Sequence, residues 1–287
     1  MKRLAPQVVL EGGVKESMIS VVCVYNNEKS LKDYLLRSLN RQSCEYEPIL
    51  LDNSQGQFQS AAEALNWGGG KAKGKYIMFA HQDVMLGSHS WLKEVEKVLD
   101  KLPNLGIAGV AGKSENKKGI ITNIKHGTPA KLAGEIQVEN PTKVQTLDEC
   151  LVMIPKSVFS VLQFDEKTCD DWHLYAVDYC LSCKRLGFDV YVIPMFLYHR
   201  SEGVFTKSRV QILKSLRLFP KSFYLTLEMV LNKHRNQYKR VYTTCGDWST
   251  SHPIILQRIR TLANAGLKLL FRKLRGDRQK GTFLSLR

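Results

Sequence analysis

The sequence lacks the features that mark several specialised classes of protein. No apolar run reaches the roughly 18 uncharged residues that a membrane-spanning helix needs. The seven cysteines are odd in number and irregularly spaced, which excludes a disulfide-stapled mini-protein. There is no internal repeat or low-complexity tract, and no charged start followed by an apolar core, so we expect no signal peptide. These absences favour a cytoplasmic globular protein.

Acidic residues are scarce in the last third of the chain. Residues 200–287 contain 19 basic and 4 acidic residues, whereas residues 1–199 contain 23 of each, so the whole net charge of +15 lies in this region. The pattern indicates a neutral body with a basic arm that meets an anionic partner. Residues 254–275 are predicted to form a basic amphipathic helix, which is typical of an element on the inner face of an anionic membrane. A helix packed on the body, with a solvated basic face, fits the pattern equally well.

Nucleic acid is not the expected partner. Aromatic residues are interleaved with the basic ones, but no zinc finger, RNA-recognition motif or clear helix-turn-helix signature accompanies them.

What the sequence does contain is an ordinary globular composition with alternating strand and helix signals. Of the 287 residues, 44% are hydrophobic and 24% are charged, which suits one large domain with or without a small appendage. Short apolar runs predict strands at residues 18–25, 47–51, 75–80, 105–111, 150–154 and 190–194. Helical spacing predicts helices after Ser30 as N-cap, through residues 61–65 before a glycine-rich turn, and over residues 91–102 and 171–186. Such alternation predicts an α/β fold with a mostly parallel sheet and helices on both faces.

Polar side chains follow the first three predicted strands, at residues 26–28, 52–54 and 81–83. Because ligands bind beyond the carboxyl ends of strands in such sheets, these three clusters predict one binding crevice. Two alternative sites are weak. The segment GGKAKGKY lacks the Ser or Thr of a P-loop and opens a strand rather than a helix. Cys180 and Cys183 lack a second pair for zinc, so we interpret them as buried helical cysteines.

Four segments resemble the family 2 glycosyltransferases with the GT-A fold. They are SVVCVYNNE (20–28), ILLDNS (49–54), ALNWGGGKAKGKYIMFAHQDV (64–84) and the stretch FDEKTC to FLYH (164–199). The HQDV form of the third segment resembles a particular subgroup of that family. The resemblance implies a Rossmann-like GT-A sheet. It also implies an N-terminal extension (1–17), a catalytic domain (18–205) and a basic, mainly helical C-terminal region (206–287).

The resemblance implies a divalent-metal site, with Mn²⁺ or Mg²⁺ as cofactor. Where the family has a DxD motif, this chain has His81-Gln82-Asp83, so only the second aspartate is retained. Asp83 and His199 are predicted ligands, and His81 is expected to contact either the metal or a phosphate. The nucleotide-sugar is expected to meet a set of residues from the strand ends: Tyr25, Asn26, Glu28, Asp52, Asn53, Asn66, His81 and Gln82. Turn chemistry alone would also account for several of these residues.

The resemblance also implies a carboxylate that accepts a proton from the acceptor hydroxyl. The family's acidic pair aligns with Tyr175 and Ala176, which cannot act as bases. Asp171 is the favoured candidate and Asp178 the second, although helix capping would also explain an aspartate near residue 171.

The predicted function is transfer of a sugar from a nucleotide-diphosphate donor to a hydroxyl of a glycan or lipid-linked glycan, with inversion. The alternative is a non-catalytic nucleotide- or carbohydrate-binding module on a degenerate glycosyltransferase scaffold. The missing DxD aspartate and the non-acidic residues 175 and 176 favour that alternative.

Overall fold

A computed structural model describes residues 15–127, 129–200 and 219–259. Most of the predicted N-terminal extension, and most of the predicted amphipathic helix at 254–275, lie outside these residues.

Sixteen strands and seven complete α-helices are found in the described ranges, and residues 254–259 are helical as well. The strands are β1 (Lys15–Tyr25), β2 (Tyr46–Asp52), β3 (Gly74–Ala80), β4 (Val84–Leu86), β5 (Leu105–Gly109), β6 (Ala111–Lys113), β7 (Ile121–Thr122), β8 (Ile124–His126), β9 (Lys131–Leu132), β10 (Thr142–Lys143), β11 (Thr146–Leu147), β12 (Leu151–Pro155), β13 (Asp189–Val192), β14 (Leu197–His199), β15 (Arg240–Thr243) and β16 (Gly246–Ser249). The helices are α1 (Glu28–Leu31), α2 (Arg37–Leu39), α3 (Ala61–Lys71), α4 (Trp91–Leu99), α5 (Lys156–Phe159), α6 (Tyr175–Arg185) and α7 (Lys221–His234). A π-helical segment, Lys32–Leu36, joins α1 to α2.

The main sheet has seven strands in the order β10-β13-β5-β12-β3-β1-β2. Strands β2, β1, β3, β5 and β13 run in one direction, and β12 and β10 run against them. Smaller sheets are formed by β4-β14-β8-β9 and β11-β6-β7, and β15-β16 is a hairpin. The prediction of a mostly parallel sheet is confirmed. The predicted strand at 150–154 is present as β12, but it is antiparallel.

Helices cover both faces of this sheet because β3 is apolar on both sides. Ile77 and Phe79 belong to a core cluster that also contains side chains of α3, α5, α6 and α7. Tyr76, Met78 and Ala80 point to the other face, where side chains of α4 and of the helical segment after β1 complete a second cluster. This two-sided burial is the expected reason why a parallel strand is continuously hydrophobic rather than alternating.

Three of the predicted local details are wrong. The N-cap of α1 is Asn27, whose Oδ1 accepts the N–H of Ser30, rather than Ser30 itself. Helix α6 begins at Tyr175 and not at residue 171, because Leu174 adopts a left-handed conformation with φ of 65°. No turn follows residue 65, since α3 continues through the glycines to Lys71.

The glycines of α3 allow that helix to lie directly on the sheet. A Cβ on Gly68 would lie 2.6 Å from Cγ1 of Val22, and one on Gly69 would lie 2.5 Å from the Phe159 ring. Gly70, on the opposite side of the helix, has no atom within 4 Å of that position. The glycine run therefore serves close packing rather than a turn.

We expect Gly69→Ala to destabilise the protein and Gly70→Ala to stabilise it. Overpacking against the buried Phe159 ring costs about 1–3 kcal/mol, whereas alanine in a helix is worth about 1 kcal/mol more than glycine. The two variants should differ by about 2 kcal/mol in free energy of unfolding, measured by urea denaturation. Equal stabilities would contradict the close packing of α3 against Phe159 of α5.

Residues 219–259 share the core of the α/β body. Phe223, Leu227 and Val230 on α7, with Trp248 on β16, are buried in the same cluster as the side chains of α6. This segment of the predicted C-terminal region is therefore attached to the body through apolar contacts. Among the described residues, no helix has the length and apolar character needed to cross a membrane.

Candidate nucleotide-sugar and metal site

The three polar clusters meet at the carboxyl edge of β1, β2 and β3. The parallel pairing of β1 with β2 sets Tyr25 directly opposite Asp52, and His81 follows β3, the other neighbour of β1. A cleft of about 410 Å³ opens at this edge. It is lined by Val24, Tyr25, Asn26, Asn53, His81, Gln82, Asp83 and Trp172. The predicted crevice is therefore present, and it draws residues from all three strand ends.

Three side chains able to bind a metal come together at one end of the cleft. Within the described ranges, a nitrogen of His81, a carboxylate oxygen of Asp83 and a nitrogen of His199 lie within 4.8 Å of one another. Strand β14 pairs antiparallel with β4 and sets His199 opposite Val84, the neighbour of Asp83. This pairing explains how residues 116 positions apart in the chain become neighbours.

Hydrogen bonding and burial set the charges of this triad. His199 Nε2 lies 3.2 Å from Oδ1 of Asp83. Burial alone would raise the pKa of Asp83, but the hydrogen bond with His199 and the charge interactions with both histidines together outweigh it, so this pKa lies below its ordinary value. Burial would lower the pKa of His199, and the Asp83 carboxylate raises it instead. Burial, together with repulsion by His199, lowers the pKa of His81, which is therefore neutral at pH 7.

The donor set of the triad fits a divalent transition metal. A carboxylate and two imidazoles supply one oxygen and two nitrogen ligands, and Mn²⁺ accepts both kinds, whereas Mg²⁺ strongly prefers oxygen.

Gln82 holds the loop that follows β1. Its Oε1 accepts the N–H groups of Asn26 and Asn27 at 3.1 and 3.0 Å, and its Nε2 donates to Oδ1 of Asn26 at 2.9 Å. Three hydrogen bonds of this side chain thus tie two strand ends together. Gln82 therefore shapes the cleft wall.

Asp52 and Asn53 organise the second strand end. Asp52 Oδ1 accepts the N–H of Ser54 at 2.8 Å, and this bond is the main reason why the pKa of Asp52 is lowered. The Tyr25 hydroxyl also hydrogen-bonds to this carboxylate. Asn53 uses its side chain to bind both backbone groups of Phe58, which orders the loop after β2. Asp52 is consequently an exposed, ionised acceptor beside a cleft residue.

Three of the residues predicted to bind the donor, Glu28, Asp52 and Asn66, are not among those that line the cleft. Asn66, on α3, bonds instead to the backbone of Phe164 and to Glu166, and so anchors the segment after β12. Glu28 is exposed on α1 and pairs with Lys32 at 2.6 Å.

The two candidate bases occupy different environments. Asp171 precedes α6, and its Oδ1 accepts the N–H of Trp172, whose side chain lines the cleft. Asp178 is 1% exposed, with Lys233 Nζ at 2.7 Å and His234 Nε2 at 2.8 Å from its two oxygens. Neither aspartate lines the cleft itself, but Asp171 adjoins Trp172, which does, whereas Asp178 is enclosed between α6 and α7. We therefore assign Asp178 a structural role and retain only Asp171 as the predicted base.

Sequence reasoning missed three residues around the site. Trp172 lines the cleft and is 38% exposed, and a tryptophan in a polar stretch was the available signal. Tyr175 hydrogen-bonds to His81, which only the tertiary structure reveals. The Glu149 carboxyl faces the N–H groups at the start of α6, a cap that Leu174 cannot supply. Burial and the charge of Asp148 raise the pKa of Glu149 to about 8.

A family model described as "Glycosyltransferase like family" matches residues 20–202. The chain belongs to this glycosyltransferase-like family. The match begins within β1 and runs through β14, so it includes every residue of the cleft and of the metal triad. The resemblance predicted from the sequence is confirmed.

Three further proteins are similar to this chain, and two of them are solved structures. A curated relative from Fuscovulum blasticum, named "ATP synthase subunits region ORF 6", is 24% identical over 202 residues, covering 66% of this chain and 78% of the relative. The mannosyltransferase PcManGT from Pyrobaculum calidifontis, solved with GDP-Man and Mn²⁺, superposes with a TM-score of 0.52 at 11% identity, covering 94% of this chain and 80% of its own. S. aureus TarS 1-349 in complex with UDP-GlcNAc gives 0.50 at 13% identity, covering 95% and 76%. The predicted GT-A fold is confirmed.

Proposed function

We propose that this protein transfers a sugar from a nucleotide-diphosphate donor to a hydroxyl group of a glycan or lipid-linked glycan. The observation that carries the proposal is the convergence of His81, Asp83 and His199 at one end of a cleft built from three strand ends. Membership of the glycosyltransferase-like family supports it. The nucleotide-sugars bound to PcManGT and TarS support a donor of the same class.

The metal triad would hold Mn²⁺ in preference to Mg²⁺. When bound, the cation would neutralise the charge that develops on the departing diphosphate. Asp83 supplies the only negative ligand of the triad, and the two imidazoles hold it within a rigid strand-end framework. Tyr25 and Asn53 would contact the nucleotide from the cleft wall, and Asp52 would accept a hydrogen bond from its ribose or base.

Asp171 would accept the proton of the acceptor hydroxyl as that oxygen attacks the sugar. Attack from the side opposite the departing diphosphate inverts the configuration at the sugar carbon. Asp171 is suited to this role because its neighbour Trp172 forms the cleft wall, so an acceptor stacked on that indole would lie near the carboxylate.

A panel of nucleotide-diphosphate sugars tests the function directly. Each is added with and without Mn²⁺, and thermal unfolding and release of nucleoside diphosphate are measured. We expect one donor to raise the melting temperature in a Mn²⁺-dependent way and to be turned over. Stabilisation without any release of diphosphate, with acceptor glycans present, would favour the non-catalytic binding module. No stabilisation by any donor would contradict the proposed site.

The basic C-terminal region would bring the enzyme to an anionic membrane, where a lipid-linked acceptor would be found. Residues 200–287 carry the whole net charge of +15, and Ile255, Leu256 and Ile259 are exposed apolar side chains at the end of the described chain. We expect cosedimentation with vesicles containing phosphatidylserine, and none with neutral vesicles or at high salt. Equal binding to neutral vesicles, or retention on duplex DNA instead, would contradict this placement.

A further inference from the structure

Tyr175 stands where the resemblance places an acidic residue, and the structure gives its hydroxyl two partners. Tyr175 is the first residue of α6 and is buried, with its ring 5.6 Å from that of Phe164. The hydroxyl oxygen lies 3.1 Å from the carbonyl oxygen of Glu149 and 3.2 Å from Nε2 of His81. The hydroxyl thus bridges the start of β12 to the metal triad.

The directions of these two hydrogen bonds follow from the groups involved. A carbonyl oxygen only accepts, and a tyrosine hydroxyl has a single proton, so Tyr175 donates to Glu149. Its oxygen then accepts the remaining bond, which requires a proton on Nε2 of His81. Because a neutral imidazole carries one proton, Nδ1 of His81 is left with the lone pair that can bind a cation.

We propose that Tyr175 is a positioning residue that fixes the Nε2–H tautomer of His81 and so makes His81 a ligand through Nδ1, beside Asp83 and His199. This inference rests on the proposed function, since it concerns the metal triad. It gives a role to Tyr175, which stands where the resemblance places an acidic residue. A hydrogen-bond partner on the far nitrogen of a metal-binding histidine fixes both its tautomer and the orientation of its ring.

The surroundings make this arrangement rigid. The backbone N–H of His81 donates to the carbonyl oxygen of Cys150 at 2.9 Å. Neighbouring carbonyls of residues 149 and 150 therefore hold His81 twice, once through its backbone and once through Tyr175. The tyrosine itself is held by α6 and by the aromatic cluster around Phe164.

The variant Tyr175→Phe tests the proposal, with Tyr179→Phe as its matched control. Tyr179 is buried one turn further along α6, and its hydroxyl donates to the carbonyl oxygen of Leu162 at 2.9 Å, away from the triad. Each variant therefore loses a hydroxyl that hydrogen-bonds to a backbone carbonyl and keeps its ring, but only Tyr175→Phe also loses a bond to His81. Mn²⁺ alone is titrated into each protein, and the electron paramagnetic resonance signal of free Mn²⁺ is followed. We expect the dissociation constant to rise about 10–100-fold in Tyr175→Phe and to stay unchanged in Tyr179→Phe.

A second readout does not depend on metal or on activity. Nitrogen-15 NMR of histidine-labelled, metal-free protein, assigned with His81→Gln, should show His81 protonated on Nε2 in the wild type and a mixture of tautomers in Tyr175→Phe. Protonation of Nδ1 in the wild type, or unchanged Mn²⁺ affinity of Tyr175→Phe, would overturn the role of Tyr175 while leaving the metal site standing. Failure of the wild-type protein to bind Mn²⁺ would overturn this inference and the proposed metal site together.

Discussion

Asp83→Asn is expected to reduce sugar transfer about 1,000-fold without unfolding the protein. The substitution removes the only negative ligand of the triad, so the cation that would stabilise the departing diphosphate is no longer held. A loss of about 4 kcal/mol of transition-state stabilisation corresponds to this factor, because each 1.36 kcal/mol changes the rate tenfold. Release of nucleoside diphosphate at saturating donor and Mn²⁺ is the measurement.

Asp100→Asn is the matched control for this experiment. Asp100 is also an aspartate with short contacts to polar side chains, in this case Lys75 Nζ and the Tyr76 hydroxyl, both at 2.7 Å. It follows α4 and does not line the cleft, so the substitution should leave transfer unchanged. Transfer by Asp83→Asn at the wild-type rate, or wild-type turnover that persists in excess EDTA, would refute the catalytic role of the metal.

The parts of the fold that were predictable from the sequence are those set by local pattern. Apolar runs such as residues 18–25 and 75–80 are short and contain β-branched or aromatic residues, which favours strands, and each leads into a polar cluster, so both the strands and the cleft edge follow from them. The antiparallel direction of β12 was not predictable, since direction depends on the path of the chain between β6 and β11. The glycines of α3 were misjudged for a related reason. Glycine signals a turn locally, and only contact with Val22 and Phe159 shows that it serves packing.

Some residues of the candidate site were likewise predictable from local sequence pattern, and others were not. Asp83 and Asn53 follow predicted strands, so their position at the cleft could be predicted from the order of the strands along the chain. The contact between His199 and Asp83 depends on the pairing of β4 with β14. Each of these strands has three residues, too few for a strand pattern to be recognised in the sequence. Asn66 was misassigned because a polar residue at the end of a helical pattern looks the same whether it meets a ligand or the backbone of Phe164. Side-chain partners in other elements are the information that one sequence lacks.

Asp178→Asn is expected to destabilise the protein by about 3 kcal/mol while leaving the metal triad intact. The buried carboxylate joins α6 to α7 through Lys233 and His234, and removing one member of a buried ion pair leaves the other without its compensating charge. Lys233 keeps a second partner in Asp165, at 2.8 Å, so we place the loss at the lower end of the usual range. Free energies of unfolding from urea denaturation give the measurement.

Asp247→Asn provides the comparison, because Asp247 also ties the C-terminal segment to the body, through Lys113 at 2.6 Å. That pair is partly solvated, and its loss should cost less than about 1 kcal/mol. Below its unfolding temperature, Asp178→Asn should bind Mn²⁺ and transfer sugar as the wild type does. If it were instead fully stable but inactive, the carboxylate would belong to catalysis, and the assignment of Asp171 as base would have to be withdrawn. The experiment thus distinguishes the two aspartates. Asp178 contacts a buried ammonium and imidazole, whereas Asp171 contacts the backbone of Trp172, whose side chain lines the cleft.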